Sequence, residues 1–327
     1  MSDNIPSFTV LITTYNRLEL LDRAINSALS QTLPCEVVVV DDCSIDETES
    51  YMKRRVETWS PQENCRLVYH RNPSNQGHSK SVNVGVEIAR GDWIKFLDDD
   101  DYLAADCLET IARAIVRCPN AVICSVRTAN VDLDGQEQSY TQTIGPKPAF
   151  YIPQEDIHYG MLIEQVPFGT PVQVAVKREA FLRSGGWKSS FDVNFDDIES
   201  WANIAQFGDA IFIQKCLAYR TTWQGAYNYR LPFQKRLETH ILIKTKIYEL
   251  VSAPHRHKLP KLVSVNAYLQ LYWGLIALKG KRPFEAIGLL FPALFSPTAW
   301  RLLQDVLAFR RDPNTDTKIR KIPLTDF

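Results

Sequence analysis

The stretch Trp93-Ile94-Lys95-Phe96-Leu97-Asp98-Asp99-Asp100-Asp101 decides how this chain folds. Its first five residues have the length and composition of a buried strand, and the run ends in four consecutive carboxylates. Neighbouring carboxylates repel one another by about 1 kcal/mol at contact distance in water, and by more in a partly buried site. A divalent cation with oxygen ligands gathers such groups. Mg²⁺ or Mn²⁺ takes one or two protein carboxylates and fills its shell with water and substrate phosphate. Capping of the helix expected from Ala104 accounts for one aspartate, Asp101, but not for four. The run also lacks the alternating ligands and turn glycine of an EF-hand calcium loop.

On the N-terminal side of this stretch, short apolar runs alternate with helical patterns, which predicts βαβ units and a largely parallel sheet covered by helices. Phe8 to Thr13 is the first expected strand, and Arg17 to Ser30 follows as a helix with Leu18, Leu21, Ile25, Ala28 and Leu29 on one face. The unbroken valines of Glu36 to Asp41 suit a strand buried on both sides. A helix over Asp46 to Trp59, a strand over Cys65 to His70 and a helix over Ser79 to Ala89, closed by Gly91 as a C-cap, lead back to Trp93. In open α/β sheets ligands bind at the C-terminal ends of the strands, where the aspartates fall.

On the C-terminal side, a helix is expected over Ala104 to Arg117, then a strand pair within Val122 to Ile144 turned at Asp134-Gly135. Pro146 to Gly169 is rich in proline and aromatic residues without a period, and is expected to be loop. A strand at Val172 to Lys177, a helix at Glu179 to Ser184, a Gly185-Gly186-Trp187 turn, a helix from about Asp197 to Phe207 and a strand at Ala210 to Leu217 complete a domain expected over residues 1–228. From Pro232 the pattern is helical only, giving a C-terminal helical region over residues 229–327, with Tyr268 to Leu278 and Phe284 to Phe295 as an antiparallel pair.

Composition narrows the function. With 327 residues, 45% of them hydrophobic, the chain buries a sizeable core. A formal net charge of −1 gives none of the basic excess of a nucleic-acid binder, so no nucleic-acid partner is expected. Seven scattered cysteines form no CxxC pair and read as reduced thiols. Met1 to Pro6 lacks a signal-peptide pattern, and no stretch reaches the roughly 18 uninterrupted apolar residues of a membrane span, so a cytoplasmic location is expected.

Five motifs occur in order: Thr13-Thr14-Tyr15-Asn16-Arg17, Val40-Asp41-Asp42-Cys43-Ser44-Ile45-Asp46, Asn75-Gln76-Gly77 with Asn83 and Gly85, Leu97 to Tyr102, and Arg178 to Trp187 followed by Phe191-Asp192 and Asp196-Asp197. Together, over residues 5–225, they resemble the family 2 glycosyltransferases of the GT-A fold. The resemblance implies an inverting transferase that moves a hexose from a nucleoside diphosphate sugar, a UDP-sugar foremost, to a glycan or lipid-linked saccharide acceptor with Mn²⁺ or Mg²⁺. It implies that Tyr15 stacks on the base, Asp41 accepts from the base N3–H, Asp98 touches the ribose and Asp100 holds the metal with Asp98. Thr13, Arg17, Asn75, Lys80 and Asp99 complete the donor site on the same likeness. Asp197 is implied as the catalytic base, with Asp196 as runner-up. Three positions depart from the family pattern: Thr13 stands for a proline, Val82 for an arginine that contacts the donor, and Asn203 for a further arginine. Lys80 or Arg71 is the expected substitute for the second.

Other signals carry less. His78 reads as a solvated loop histidine, and His255 and His257 have no third ligand nearby. Trp187, Trp201 and Trp223 suit either an acceptor groove or the core. The C-terminal helices mix apolar faces with Lys279, Lys281, Arg282, Arg310 and Arg311, a pattern that suits packing on the catalytic domain or peripheral contact with the inner face of an anionic membrane. Rival readings are a sugar-nucleotide nucleotidyltransferase, which would show a glycine-rich basic loop where Leu11 to Arg17 has no glycine, a glycoside hydrolase, and an inactive glycan-binding protein on the same fold.

Overall fold

The structure, a computed structural model, describes residues 5–60, 66–188, 196–223, 232–291, 293–313, 317–325 and 327. Cys65, Phe191 and Asp192 lie outside the described residues, and the other six cysteines are unpaired thiols.

The first half alternates as its periodicity predicts: β1 (Phe8–Thr14), α1 (Leu18–Leu29), β2 (Glu36–Asp41), α2 (Thr48–Thr58), β3 (Arg66–Arg71), α3 (His78–Ile88) and β4 (Trp93–Asp98). Then come β5 (Tyr102–Leu103), α4 (Cys107–Arg117), β6 (Ala121–Val131), β7 (Glu137–Tyr140), β8 (Ala149–Ile152), α5 (Gln154–Leu162), β9 (Val174–Lys177), α6 (Arg178–Arg183), α7 (Asp196–Ile204) and β10 (Asp209–Thr221). Among the described residues there follow α8 (Phe233–Leu250), α9 (Ala253–Arg256), α10 (Leu262–Lys279), α11 (Pro283–Leu290) and α12 (Pro297–Arg311), and then β11 (Ile322–Pro323).

Among the described residues, eleven strands form one sheet in the order β11-β8-β10-β6-β9-β4-β1-β2-β3, with β5 beside β10 and β7 beside β6. It is parallel from β3 to β4. Beyond that, β9 runs antiparallel between β4 and β6, so the sheet as a whole is mixed. Successive residues of a strand point to opposite faces, and both faces here are apolar. Val10, Ile12, Val37 and Val39 join the core under α1 and α4, while Leu11, Val38 and Val40 join the core under α3, α5 and α7. Lys95 in the middle of β4 is buried too; its ammonium donates to Phe96 O (2.7 Å) and Val172 O (2.6 Å), which supply what water would otherwise supply.

Three expectations need correction. Residues 146–169 are not loop, for they contain β8 and α5. All seven residues from Asp156 to Leu162 are buried, so α5 shows no one-sided stripe and its sequence carries no helical period. Gly91 does not cap α3, which ends at Ile88 with Ala89 as its C-cap. A Cβ at Gly91 would lie 2.4 Å from Thr9 N, so the glycine lets the chain pass against β1. The region expected to be helical only also returns to the sheet, where β11 pairs antiparallel with β8.

Candidate active site

The parallel register sets Thr13 beside Asp98 and Thr14 beside Asp41, so the strand ends of β1, β2 and β4 lie side by side. A cleft of about 920 Å³ opens over them, walled by the loop before α3, the start of α7, the end of β10 and one face of α8.

The four aspartates divide by partner. Asp99 turns inward, accepting from Thr14 Oγ1 (2.8 Å) and Arg17 Nη1 (3.0 Å); burial and the repulsion of Asp100 push its carboxyl up to about 6 in spite of Arg17. Asp101 also turns inward and accepts from Thr221 N (2.8 Å). Asp100 accepts from Arg17 Nη1 (3.3 Å) and Trp223 Nε1 (3.1 Å), and burial together with Asp98 raises it above the usual carboxylate range. Asp98 is the most open, with a side chain 32% exposed against 4% for Asp99. The backbone of the acidic turn is held from below, where Arg23 Nη2 donates to Asp100 O (2.7 Å).

Across the cleft stand Asp196 and Asp197, the first residues of α7. Burial first, and then the neighbouring Asp196 charge, push the Asp197 carboxyl up to about 7, while Ile198 N donates to it at 2.8 Å. His78 bridges the two acidic groups: its Nδ1 lies 3.3 Å from Asp196 Oδ2 and its Nε2 3.6 Å from Asp98 Oδ1. Burial disfavours the imidazolium, but the two carboxylates outweigh it and hold His78 well above the ordinary histidine value. This corrects the expectation of a solvated loop histidine. The loop that delivers it is built by Asp42, which accepts from Gln76 N (2.9 Å), Gly77 N (2.8 Å) and Asn72 Nδ2 (2.7 Å), with Gly77 at φ 89° where a side chain is disfavoured.

Of the residues expected at the site, Thr13, Tyr15, Arg17, Asn75, Asp98, Asp99, Asp100 and Asp197 line the cleft. Asp41 and Lys80 do not. The Asp41 carboxylate is fully buried and engaged by Ser44 N and Tyr69 Oη, both at 2.8 Å, and Lys80 points to solvent. Val82, where the family has a donor-contacting arginine, lies in the core, and Arg71 is turned to Ser44 O (3.0 Å) and Glu49 (3.2 Å). A cation at the cleft that the sequence did not point to is Arg220, on the end of β10. The expected strand stopped at Leu217; register shifts at Ile213/Cys216 and Cys216/Ala218 break its alternation and hide its last turn from the sequence. Trp187 and Trp201 are core residues, packed on Phe96, whereas Trp223 reaches Asp100.

Carboxylates outnumber cations here. Asp98 and Asp100 raise the cost of each other's charge, and no group of three His, Cys, Asp or Glu among the described residues is disposed to enclose a metal ion. Two carboxylates lining a cleft fit a Mg²⁺ or Mn²⁺ whose shell is completed by water and phosphate, and not a closed protein cage.

Comparison with known proteins agrees with this geometry. The model of the glycosyl transferase family 2 matches residues 9–184. An uncharacterized glycosyltransferase of Haemophilus influenzae is 31% identical over 54% of this chain and 55% of its own length. The GalNAc(5)-diNAcBac-PP-undecaprenol beta-1,3-glucosyltransferase of Campylobacter jejuni is 34% identical over 33% of this chain and 34% of its own. The chain thus spans about half, or less, of the curated relatives it matches. In fold it is similar to Staphylococcus aureus TarS 1-349 in complex with UDP-GlcNAc, with a TM-score of 0.56 at 16% identity over 98% of this chain and 97% of that one. It is also similar to the mannosyltransferase PcManGT from Pyrobaculum calidifontis in complex with GDP-Man and Mn²⁺, with a TM-score of 0.54 at 20% identity over 94% and 81%. The sheet and its flanking helices are thus a GT-A fold, and with the family model covering more than half of its residues the chain belongs to glycosyltransferase family 2.

Proposed function

We propose that the protein is a metal-dependent inverting glycosyltransferase that moves a hexose from a UDP-sugar to a hydroxyl of a glycan or lipid-linked saccharide. The observation that carries this reading is the meeting, in one cleft, of the lining carboxylates Asp98 and Asp100 with Asp197, a carboxyl pushed up to about 7 and so poised to take a proton near neutrality. The UDP-GlcNAc bound by the TarS neighbour supports a uridine donor. Tyr15, 43% exposed beside the strand ends, offers an aromatic face to the base, and Asn75 and Thr13 stand at the same rim.

Asp98 and Asp100 would hold Mn²⁺ or Mg²⁺, which supplies Lewis-acid stabilisation of the departing diphosphate. Arg220 and His78, whose imidazolium form the neighbouring Asp196 and Asp98 favour, add positive charge in the cleft. Arg17 holds Asp99 and Asp100 in place and is a positioning residue. Asp197 accepts the proton of the attacking hydroxyl while the nucleotide leaves from the opposite face of the sugar, so the anomeric configuration inverts. Asp196, paired with His78, is less free for that task.

Replacing the base while sparing the donor site tests the reading. Asp197→Asn is expected to lower transfer from UDP-sugar by about 10²- to 10⁴-fold and to leave the Kd for UDP, measured calorimetrically with Mn²⁺, within about twofold. Wild-type turnover in that variant would refute the assignment of the base. Failure of the unaltered protein to bind UDP or to release it from any UDP-sugar would refute the reaction.

A further inference from the structure

The apolar residues of the C-terminal helices do not all go into the core. Ala286 and Leu289 of α11 pack on α10, where Gly274 admits Leu290, but the opposite face of α11 is bare. Phe284 is 89% exposed, Ile287 62%, Phe291 66% and Phe295 83%, and the first three repeat at helical spacing on one side. Leu278 at the end of α10 and Leu294 add to the patch, and Trp300 of α12 is tied to it by Nε1 donating to Leu294 O (2.9 Å). Side chains so far out of the surface form a ridge, not a groove that a peptide would fill.

Charge gives the ridge its partner. Between Leu275 and Arg301 the chain carries Lys279, Lys281, Arg282 and Arg301 against a single acid, Glu285, which is engaged by Arg282 (3.2 Å). All four basic residues are exposed at the flanks of the apolar face. Protruding phenylalanines edged by lysine and arginine, with a tryptophan at the margin, match the interface of an anionic bilayer, where aromatic side chains enter the headgroup region and basic ones stay at the phosphate level. None of the described helices is long and apolar enough to cross a membrane, so contact of this kind lies on the surface. We infer that the face made by the end of α10, α11 and the start of α12 is a docking surface for an anionic lipid membrane. The helix α8, which packs on α10 and carries His240, Lys244 and Ile247 into the cleft, stands between the lipid and the site.

Vesicle flotation tests this independently of catalysis. The protein is expected to float with phosphatidylcholine vesicles containing phosphatidylglycerol, several-fold less with phosphatidylcholine alone, and less as salt is raised. The double variant Phe284→Ser/Phe295→Ser is expected to lose at least about tenfold in partitioning, and Lys279→Gln/Lys281→Gln to lose the preference for phosphatidylglycerol. Both should keep wild-type UDP release from UDP-sugar in solution, which separates a failed docking surface from a failed reaction. Absence of flotation, or flotation unchanged by the phenylalanine substitutions, would overturn the inference. So would a dimer in sedimentation velocity that those substitutions dissociate, which would make the ridge an interface between copies.

Discussion

At the scale of single residues the cleft shows carboxylates held where they are least comfortable. Asp197 binds its proton more tightly in the folded chain than an ordinary aspartate does, because burial and Asp196 both oppose its charge. A raised folded-state value contributes stability that is complete below the usual aspartate range and is lost as the pH rises through about 7. Activity runs the other way, since the base must be deprotonated. We therefore expect kcat/KM for transfer to fall about tenfold per pH unit below the Asp197 value and to level off above it, and Asp197→Asn to melt higher than the unaltered protein at pH 8 while being inactive there. A pH–rate profile flat through neutrality, or a variant that melts lower, would contradict the assignment. Arg220 carries a second expectation. It lines the cleft, while Val82, where the resemblance expects a donor-contacting arginine, is buried, so Arg220→Gln should raise KM for the UDP-sugar by about tenfold or more, the worth of a charge-assisted hydrogen bond. Initial rates at saturating acceptor read this directly, and an unchanged KM would remove Arg220 from the donor site.

Element by element, legibility in the sequence followed burial. Strands β1, β2 and β4 were readable because their apolar runs end in polar residues at the sheet edge, and β2 was bounded to the residue. The helix α5 was not, because an element buried all round has no polar face to set its period, and polar Asp156 and His158 inside it mimic loop. The site was legible where a motif is contiguous, as from Asp98 to Asp101, and illegible where the fold folds a distant strand back, as with Arg220. His78 was visible as a residue, but its partners Asp98 and Asp196 are distant along the chain, so its bridging position was not. Gly91 is the sharpest case, since a glycine after a helix has two physical explanations with opposite consequences. For an ordinary Gly→Ala in a compatible conformation the gain is about 0.4–1 kcal/mol. Here the added methyl would meet Thr9 N at 2.4 Å and Thr9 Oγ1 at 2.9 Å, and overpacking against a central strand costs about 1–3 kcal/mol. Gly91→Ala should therefore lower the urea midpoint, and a raised midpoint would return Gly91 to the role of a flexible terminator.

For the molecule as a whole, the question is how the C-terminal helices stay joined to the catalytic sheet. Links at two places matter most. Lys244 of α8 is buried, forms an ion pair with Glu164 Oε1 at 2.7 Å beside the cleft and donates to Met161 O of α5. Beyond α12 the chain comes back to lay β11 on β8, and just before it Arg320 donates to the buried Asp156 from its backbone N (2.9 Å) and from Nε (2.8 Å), while His255 Nε2 stands 2.6 Å from the other oxygen. Burial alone would raise the Asp156 carboxyl, but Arg320 and then His255 outweigh it and hold the carboxyl below its ordinary value. A depressed carboxyl contributes stability that is present above the usual aspartate range and lost as the pH falls through the lower folded value. Removing Arg320 leaves a buried carboxylate with one partner fewer. The loss is placed at about 2 kcal/mol, below the usual figure for a buried pair, because the guanidinium is 54% exposed and His255 remains. Arg320→Ala should thus lower Tm at pH 7 and should cost progressively less as the pH falls through the folded-state value of Asp156. Because β11 and α8 fasten the helical layer to both the sheet edge and the cleft, the loss should appear as one cooperative transition shifted downward. A calorimetric trace that instead splits in two, with the UDP-protected part unmoved, would mean that the helices fold independently of the sheet.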